Sequence, residues 1–153
     1  MAAALLLTIP KLSFPIHMKT EILVTRTAKI SYLSEDILEI VVLQDSEVEE
    51  EDARENYMAC KKLSEGRKMA VLIDSRVRTT ATKEARSLSS GPLVSEFVIA
   101  RAILTDSVSV KLLGNFYINF HKPLSPTQLF RDKKKAIEWL EKELSKHQKT
   151  VKA

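Results

Sequence analysis

Residues 73–86, IDSRVRTTATKEAR, hold the densest set of side chains able to act on a ligand. Asp74 and Ser75 close an apolar run that reads as a central strand, and ligands of open α/β sheets bind beyond the carboxyl ends of such strands. Arg76, Arg78, Lys83 and Arg86 follow, with Glu84 the one acid among them. Guanidinium groups beside a helix N-terminus can hold a phosphate or carboxylate through forked hydrogen bonds and the helix dipole. The same residues also suit a solvated loop whose arginines pair with the acidic helix that precedes them. The loop is the simpler assignment.

Other reactive side chains are scattered. His17, His121 and His147 have no partner at ligand spacing, so no metal site is expected. Cys60 falls on the inward side of an acidic helix, whereas a reactive thiolate needs cationic surroundings; it reads as a core thiol. No acid, base or nucleophile stands beside a group that would set it in place, so neither an enzyme nor a bound cofactor is expected.

These side chains need elements to position them. ILVTRTAKISY over residues 22–32 alternates in its second half, and ILEIVVL over residues 37–43 is a buried-strand run, with LSED between them as a hairpin turn. A helix follows, with Ala53, Tyr57, Cys60 and Leu63 inward, Ser46 and Glu49 as its capping pair, and Gly66 as its stop. MAVLID is the central strand; TKEARSLSSGP is a brief helix closed by Gly91 and Pro92; FVIARAIL is the next strand.

DSVSVKLLGNFYINF is a helix with an unusually broad apolar arc. Val110, Leu113, Tyr117 and Phe120 make one stripe, which Leu112 and Phe116 widen, and Gly114 permits a close approach. Such an arc suits a deeply buried helix, or one whose spare flank, at Leu112, Phe116 and Tyr117, meets a second subunit or an apolar ligand. The chain then predicts a strand over residues 127–130. A final helix runs from Asp132 to about Lys146, with Ala136, Ile137, Leu140 and Leu144 inward. Lys133, Lys134 and Lys135 fall in its first turn, where the dipole disfavours cations; Glu138 and Glu141 are the expected compensation. Strands alternating with helices predict a parallel array, to which the first hairpin adds an antiparallel edge.

VLIDSR, KEARSL and ARAILTDSVSVKLLGNFYINFHKPLSPTQLFRDKKKAIEWL resemble a group of small bacterial domains of unknown function with the SpoIIAA-like fold, which STAS domains share. The likeness runs over residues 18–144. It is most specific where KP, P, LF and A-x-x-W-L follow one another in residues 122–140. It implies an α/β fold with a mixed sheet wound as a β/α superhelix, and no activity. STAS domains that antagonise anti-sigma factors carry a phosphorylatable Ser or Thr in a D-S-S-G-like turn after the central strand. Here no S-G or T-G follows Asp74 and Ser75, and Thr79, Thr80 and Thr82 read first as helix-cap hydroxyls.

The chain has 153 residues, a formal charge of +4 and one cysteine. Lys11, Lys146, Lys149 and Lys152 supply the whole excess of 24 basic over 20 acidic residues, so residues 19–145 are neutral and nucleic acid is not an expected partner. The lone cysteine fits a reducing, cytoplasmic setting. The organisation expected is a leader or loosely attached arm at residues 1–17, a single domain at 18–146 and a basic tail at 147–153. The leader lacks a basic start and a cleavage site, and no segment reaches the length of a membrane span. Met18 is the alternative start. The functional class expected is a regulatory or interaction module that binds an unidentified protein, and a homodimer is expected. The alternative is a binder of a lipid-like or anionic small ligand.

Overall fold

A computed structural model of the chain describes residues 20–152. The leader, His17 and the choice between Met1 and Met18 lie outside the described residues. The strands are β1 (Ile22–Val24), β2 (Ala28–Ser34), β3 (Ile37–Val42), β4 (Glu47–Val48), β5 (Met69–Asp74), β6 (Thr80–Ala81), β7 (Val98–Leu104) and β8 (Thr127–Phe130). The helices are α1 (Glu50–Leu63), α2 (Lys83–Ser89), α3 (Pro92–Ser95), α4 (Val108–His121) and α5 (Lys133–Lys152).

Six strands form one sheet in the order β1-β2-β3-β5-β7-β8, while β4 and β6 pair separately. β1, β2 and β3 are antiparallel neighbours, and β3, β5, β7 and β8 are parallel. The parallel strands are joined by helical crossovers, as alternation of the two element types demands. The sheet is thus mixed, with the antiparallel hairpin at one side, as the sequence predicts. The first stretch differs in one respect: the chain folds back after Val24, where Thr25 Oγ1 accepts from Ala28 N at 3.0 Å, so two strands stand in place of one.

Side chains alternate across the pleat, and each face of the sheet has its own core. On one face Ile30, Leu38, Ile40 and Val71 pack under Tyr57, Cys60 and Leu63 of α1, with Val94 and Phe97 beside them. On the other Ile37, Leu72, Ala100, Ala102 and Leu104 pack under Ala136, Leu140 and Leu144 of α5. The alanines of β5 and β7 let α5 come close. Phe130 meets Trp139 with ring centroids 5.7 Å apart, so the strand at residues 127–130 and the A-x-x-W-L stretch are both part of the core.

Three boundaries depart from the sequence reading. α1 is capped by Glu49 with Asp52, whose carboxylate accepts from Glu49 N at 2.9 Å, and not by Ser46. The Ser46 carbonyl instead accepts from Thr79 Oγ1 at 2.8 Å and Thr80 N at 3.1 Å, which draws residues 46–48 into the β4–β6 pair. Gly91 and Pro92 open α3 as well as ending α2, because proline is at home in a first helical turn. α5 runs on to Lys152, so residues 147–152 are helical, and Lys149 and Lys152 lie in the last turn, which the dipole favours for cations.

The first turn of α5 is compensated by groups other than Glu138 and Glu141. Asp132 Oδ1 accepts from Lys134 N at 2.8 Å, and Lys133 Nζ reaches Glu39 of β3 at 2.6 Å. Gly66 carries the left-handed turn that ends α1, with φ +79° and its N–H on the Lys61 carbonyl at 3.1 Å. No helix among the described residues is long and apolar enough to cross a membrane.

Candidate functional site

The carboxyl end of β5 brings Asp74, Ser75 and Arg76 together. Arg76 curls back on Asp74 with a forked pair of hydrogen bonds, Nε to Oδ1 at 2.9 Å and Nη2 to Oδ2 at 2.8 Å, and its backbone N–H adds a third. Those bonds hold the Asp74 carboxyl below the usual carboxylate range, against partial burial. Ser75 donates its hydroxyl to the Leu104 carbonyl at 2.7 Å.

The remaining cations go elsewhere. Arg78 pairs with Asp45 at 2.5 Å, and Arg86 Nη1 donates to the Ala81 carbonyl at 2.5 Å. Lys83 is exposed on α2, beside an open hollow of about 460 Å³ that it lines with Glu50, Arg54, Glu84, Leu88 and Leu93. The guanidinium partners are therefore Asp74 and Asp45, not the acidic helix. Asp52 of that helix is engaged by Arg26, which holds its carboxyl below the usual range.

Arg101 is a residue that the sequence analysis above does not name. It sits in the middle of β7, only 5% exposed, and among the described residues it has no carboxylate partner. Its Nη1 donates to Tyr57 Oη at 3.0 Å and to the Ser89 carbonyl at 2.7 Å, and Nη2 approaches Thr127 Oγ1 at 3.4 Å. Its Nε has no acceptor. One side chain thus ties α1, the end of α2, β7 and β8 together. The lone charge in FVIARAIL, an otherwise apolar run, is the signal that could have found it.

The most consequential surface is on α4. Its small and polar flank is fastened to the edge strand β8: Asn115 Nδ2 donates to the Leu129 carbonyl at 3.1 Å, and Leu129 N donates to Asn115 Oδ1 at 2.8 Å. Beside it Gly114 lies against the Leu129 side chain, where a Cβ would fall 2.6 Å from Leu129 Cδ2. At about 100° per residue, Leu112, Phe116, Phe120, Leu113, Tyr117 and Val110 then share an arc turned away from the sheet. Leu112 is 62%, Leu113 69% and Phe116 70% exposed. Phe116 and Phe120 stack with centroids 6.4 Å apart. A deeply buried helix is therefore the assignment that fails; the broad arc faces outward.

A family model described as a domain of unknown function, DUF7793, matches residues 31–144, three quarters of the chain. The chain belongs to the DUF7793 family. Its fold is SpoIIAA-like: the crystal structure of an uncharacterized protein of the DUF3478 family with a SpoIIAA-like fold, from Shewanella loihica PV-4, aligns with a TM-score of 0.55 at 18% identity. The alignment covers 74% of this chain and 91% of that one, and at that identity it speaks for the fold alone. No curated protein matches the chain.

In this DUF7793 domain the hydroxyls of Ser75, Thr79 and Thr82, after the central strand, have structural employment. Thr82 caps α2 by accepting from Ala85 N at 3.1 Å, Thr79 donates to Ser46, and Thr80 is exposed in β6. Cys60 is fully buried, and burial pushes its thiol up to about 12. Among the described residues no three His, Cys, Asp or Glu side chains gather to hold a metal ion. A second hollow, about 230 Å³ near Lys122, Thr127 and Trp139, and the one beside Lys83 are both unlined by Leu112, Phe116 or Tyr117.

Proposed function

We propose that the domain is a non-enzymatic, STAS-like interaction module that works by docking a protein surface on the outward arc of α4. The carrying observation is that arc: Leu112, Leu113 and Phe116 are each more than three-fifths exposed and contiguous on one helix. Apolar patches of this extent on a folded domain mark interaction surfaces.

The settings of the reactive groups support the non-enzymatic part. The Cys60 thiol is buried and strongly protonated, Asp74 is ion-paired with Arg76, and the Ser75 hydroxyl is engaged as a hydrogen-bond donor to the Leu104 carbonyl. None is poised as a free nucleophile or base at neutral pH. A reducing, cytoplasmic setting suits the buried single thiol.

The test is affinity capture from extracts of the source organism, with wild-type and Phe116→Asp chains as bait. The reading predicts a protein enriched by wild type and lost with the variant, with both baits folded by circular dichroism. Identical captures with the two baits would overturn it.

A further inference from the structure

We infer that the occupant of the α4 arc is a second copy of this chain, joined through a two-fold helix-to-helix contact. The inference rests on the docking surface proposed above and names its partner.

Three observations carry it. The first is charge. The sequence of α4, VSVKLLGNFYINFH, holds one Lys and no acid, and Lys111 lies on the flank turned toward the sheet, half-buried, outside the arc. A two-fold contact sets a patch against itself, so a charge near the axis would meet its own copy. This arc has none to oppose, and equally offers no charge by which an acidic or basic partner could be selected.

The second is size. Rings of roughly 150–250 Å² each, left 62–77% exposed at Phe116, Tyr117 and Phe120, together offer on the order of 400 Å². With Leu112, Leu113 and Val110 the arc approaches the about 800 Å² per partner of a standard stable interface. A helix of 14 residues is about 21 Å long, enough for an antiparallel mate to run along the arc from end to end.

The third is rigidity. Gly114 against the Leu129 side chain and Asn115 on the Leu129 backbone hold the helix so that the arc cannot roll inward to the core. The ring stack of Phe116 on Phe120 is a preformed ridge. Ordering cost on association is correspondingly small.

The test is sedimentation equilibrium of the full chain from micromolar to hundreds of micromolar, for wild type, Phe116→Asp and Leu113→Asp. Both substituted side chains are solvent-exposed, and thermal melts by circular dichroism establish that the variants fold. The expected result is twice the chain mass for wild type and the single mass for both variants. A single mass for wild type throughout overturns the second copy; if Phe116→Asp then still abolishes capture from extracts, the docking surface stands with a different partner. A double mass retained by both variants overturns it too, because the pair would then use another face.

Discussion

Asn115 and Leu129 are joined by two hydrogen bonds, the side-chain amide of one serving both backbone groups of the other. β8 is the last strand of its sheet, and such an edge leaves N–H and C=O groups open to any passing strand. Here an asparagine on α4 occupies the place a further strand would take at that residue, and the same contact decides which way α4 faces.

Asn115→Ala leaves the Leu129 amide and carbonyl without these partners and should cost about 1–2 kcal/mol. A lowered urea midpoint with an unchanged slope is the expected reading, together with faster amide exchange along α4.

Gly114→Ala should destabilise in spite of helix propensity. Alanine gains up to about 1 kcal/mol in a helix interior, yet its Cβ would stand 2.6 Å from Leu129 Cδ2 and 3.2 Å from Cδ1. Overpacking costs typically about 1–3 kcal/mol, so a net loss near 1 kcal/mol is expected. A stabilised variant in urea titration would contradict the close approach.

Arg101→Lys should be worse than Arg101→Met. Lysine keeps a buried cation but loses the planar guanidinium, whose Nη1 donates to Tyr57 and Ser89 while Nη2 approaches Thr127. Methionine loses the same bonds and removes the charge, whose burial without a carboxylate is unfavourable. The lysine variant is expected to lose about 3 kcal/mol and the methionine variant clearly less, by chemical denaturation of the two side by side.

Acid should weaken the fold through Asp52 and Asp74. Their carboxyls lie below the usual range because Arg26 and Arg76 donate to the charged forms. A folded-state pKa below the unfolded value of about 3.9 adds stability that is present at neutral pH and is lost as pH falls through the folded-state value. Wild type should therefore exceed Arg76→Ala in stability at neutral pH, with the gap closing as pH falls. Denaturation midpoints across that range check the sign.

Cys60 should ignore thiol reagents in the native protein. It is fully buried with its thiol pushed up to about 12, so labelling has to wait for opening of the core. Labelling rates that rise with urea in step with unfolding are expected; fast labelling without denaturant would contradict the packing of α1.

β5, β7 and β8 were legible as short apolar runs, and the inward faces of α1 and α5 as residues at helical steps, because burial dictates composition there. β4 and β6 were not: two residues each carry no period, and their pairing arises from backbone bonds such as Asp45 N to the Arg78 carbonyl at 2.7 Å. Helical spacing gathered Leu112, Phe116 and Tyr117 on one side of α4 but could not say where that side points. Gly114 and Asn115 decide it through Leu129, fourteen or more residues away in sequence and adjacent only in space. Similarly, the types of Arg76 and Arg78 announced anion chemistry, while their nearest anions, Asp74 and Asp45, are settled by the loops.

The strand order of the main sheet, β1-β2-β3-β5-β7-β8, never places a later strand between two earlier ones. Each new strand can therefore be added to an edge already laid down, so the sheet can grow in the direction of synthesis as the chain leaves the ribosome. The antiparallel start, whose contacts are local, supplies the first template without a long loop to close. α5 follows β8 in the chain and covers one face of the sheet so assembled.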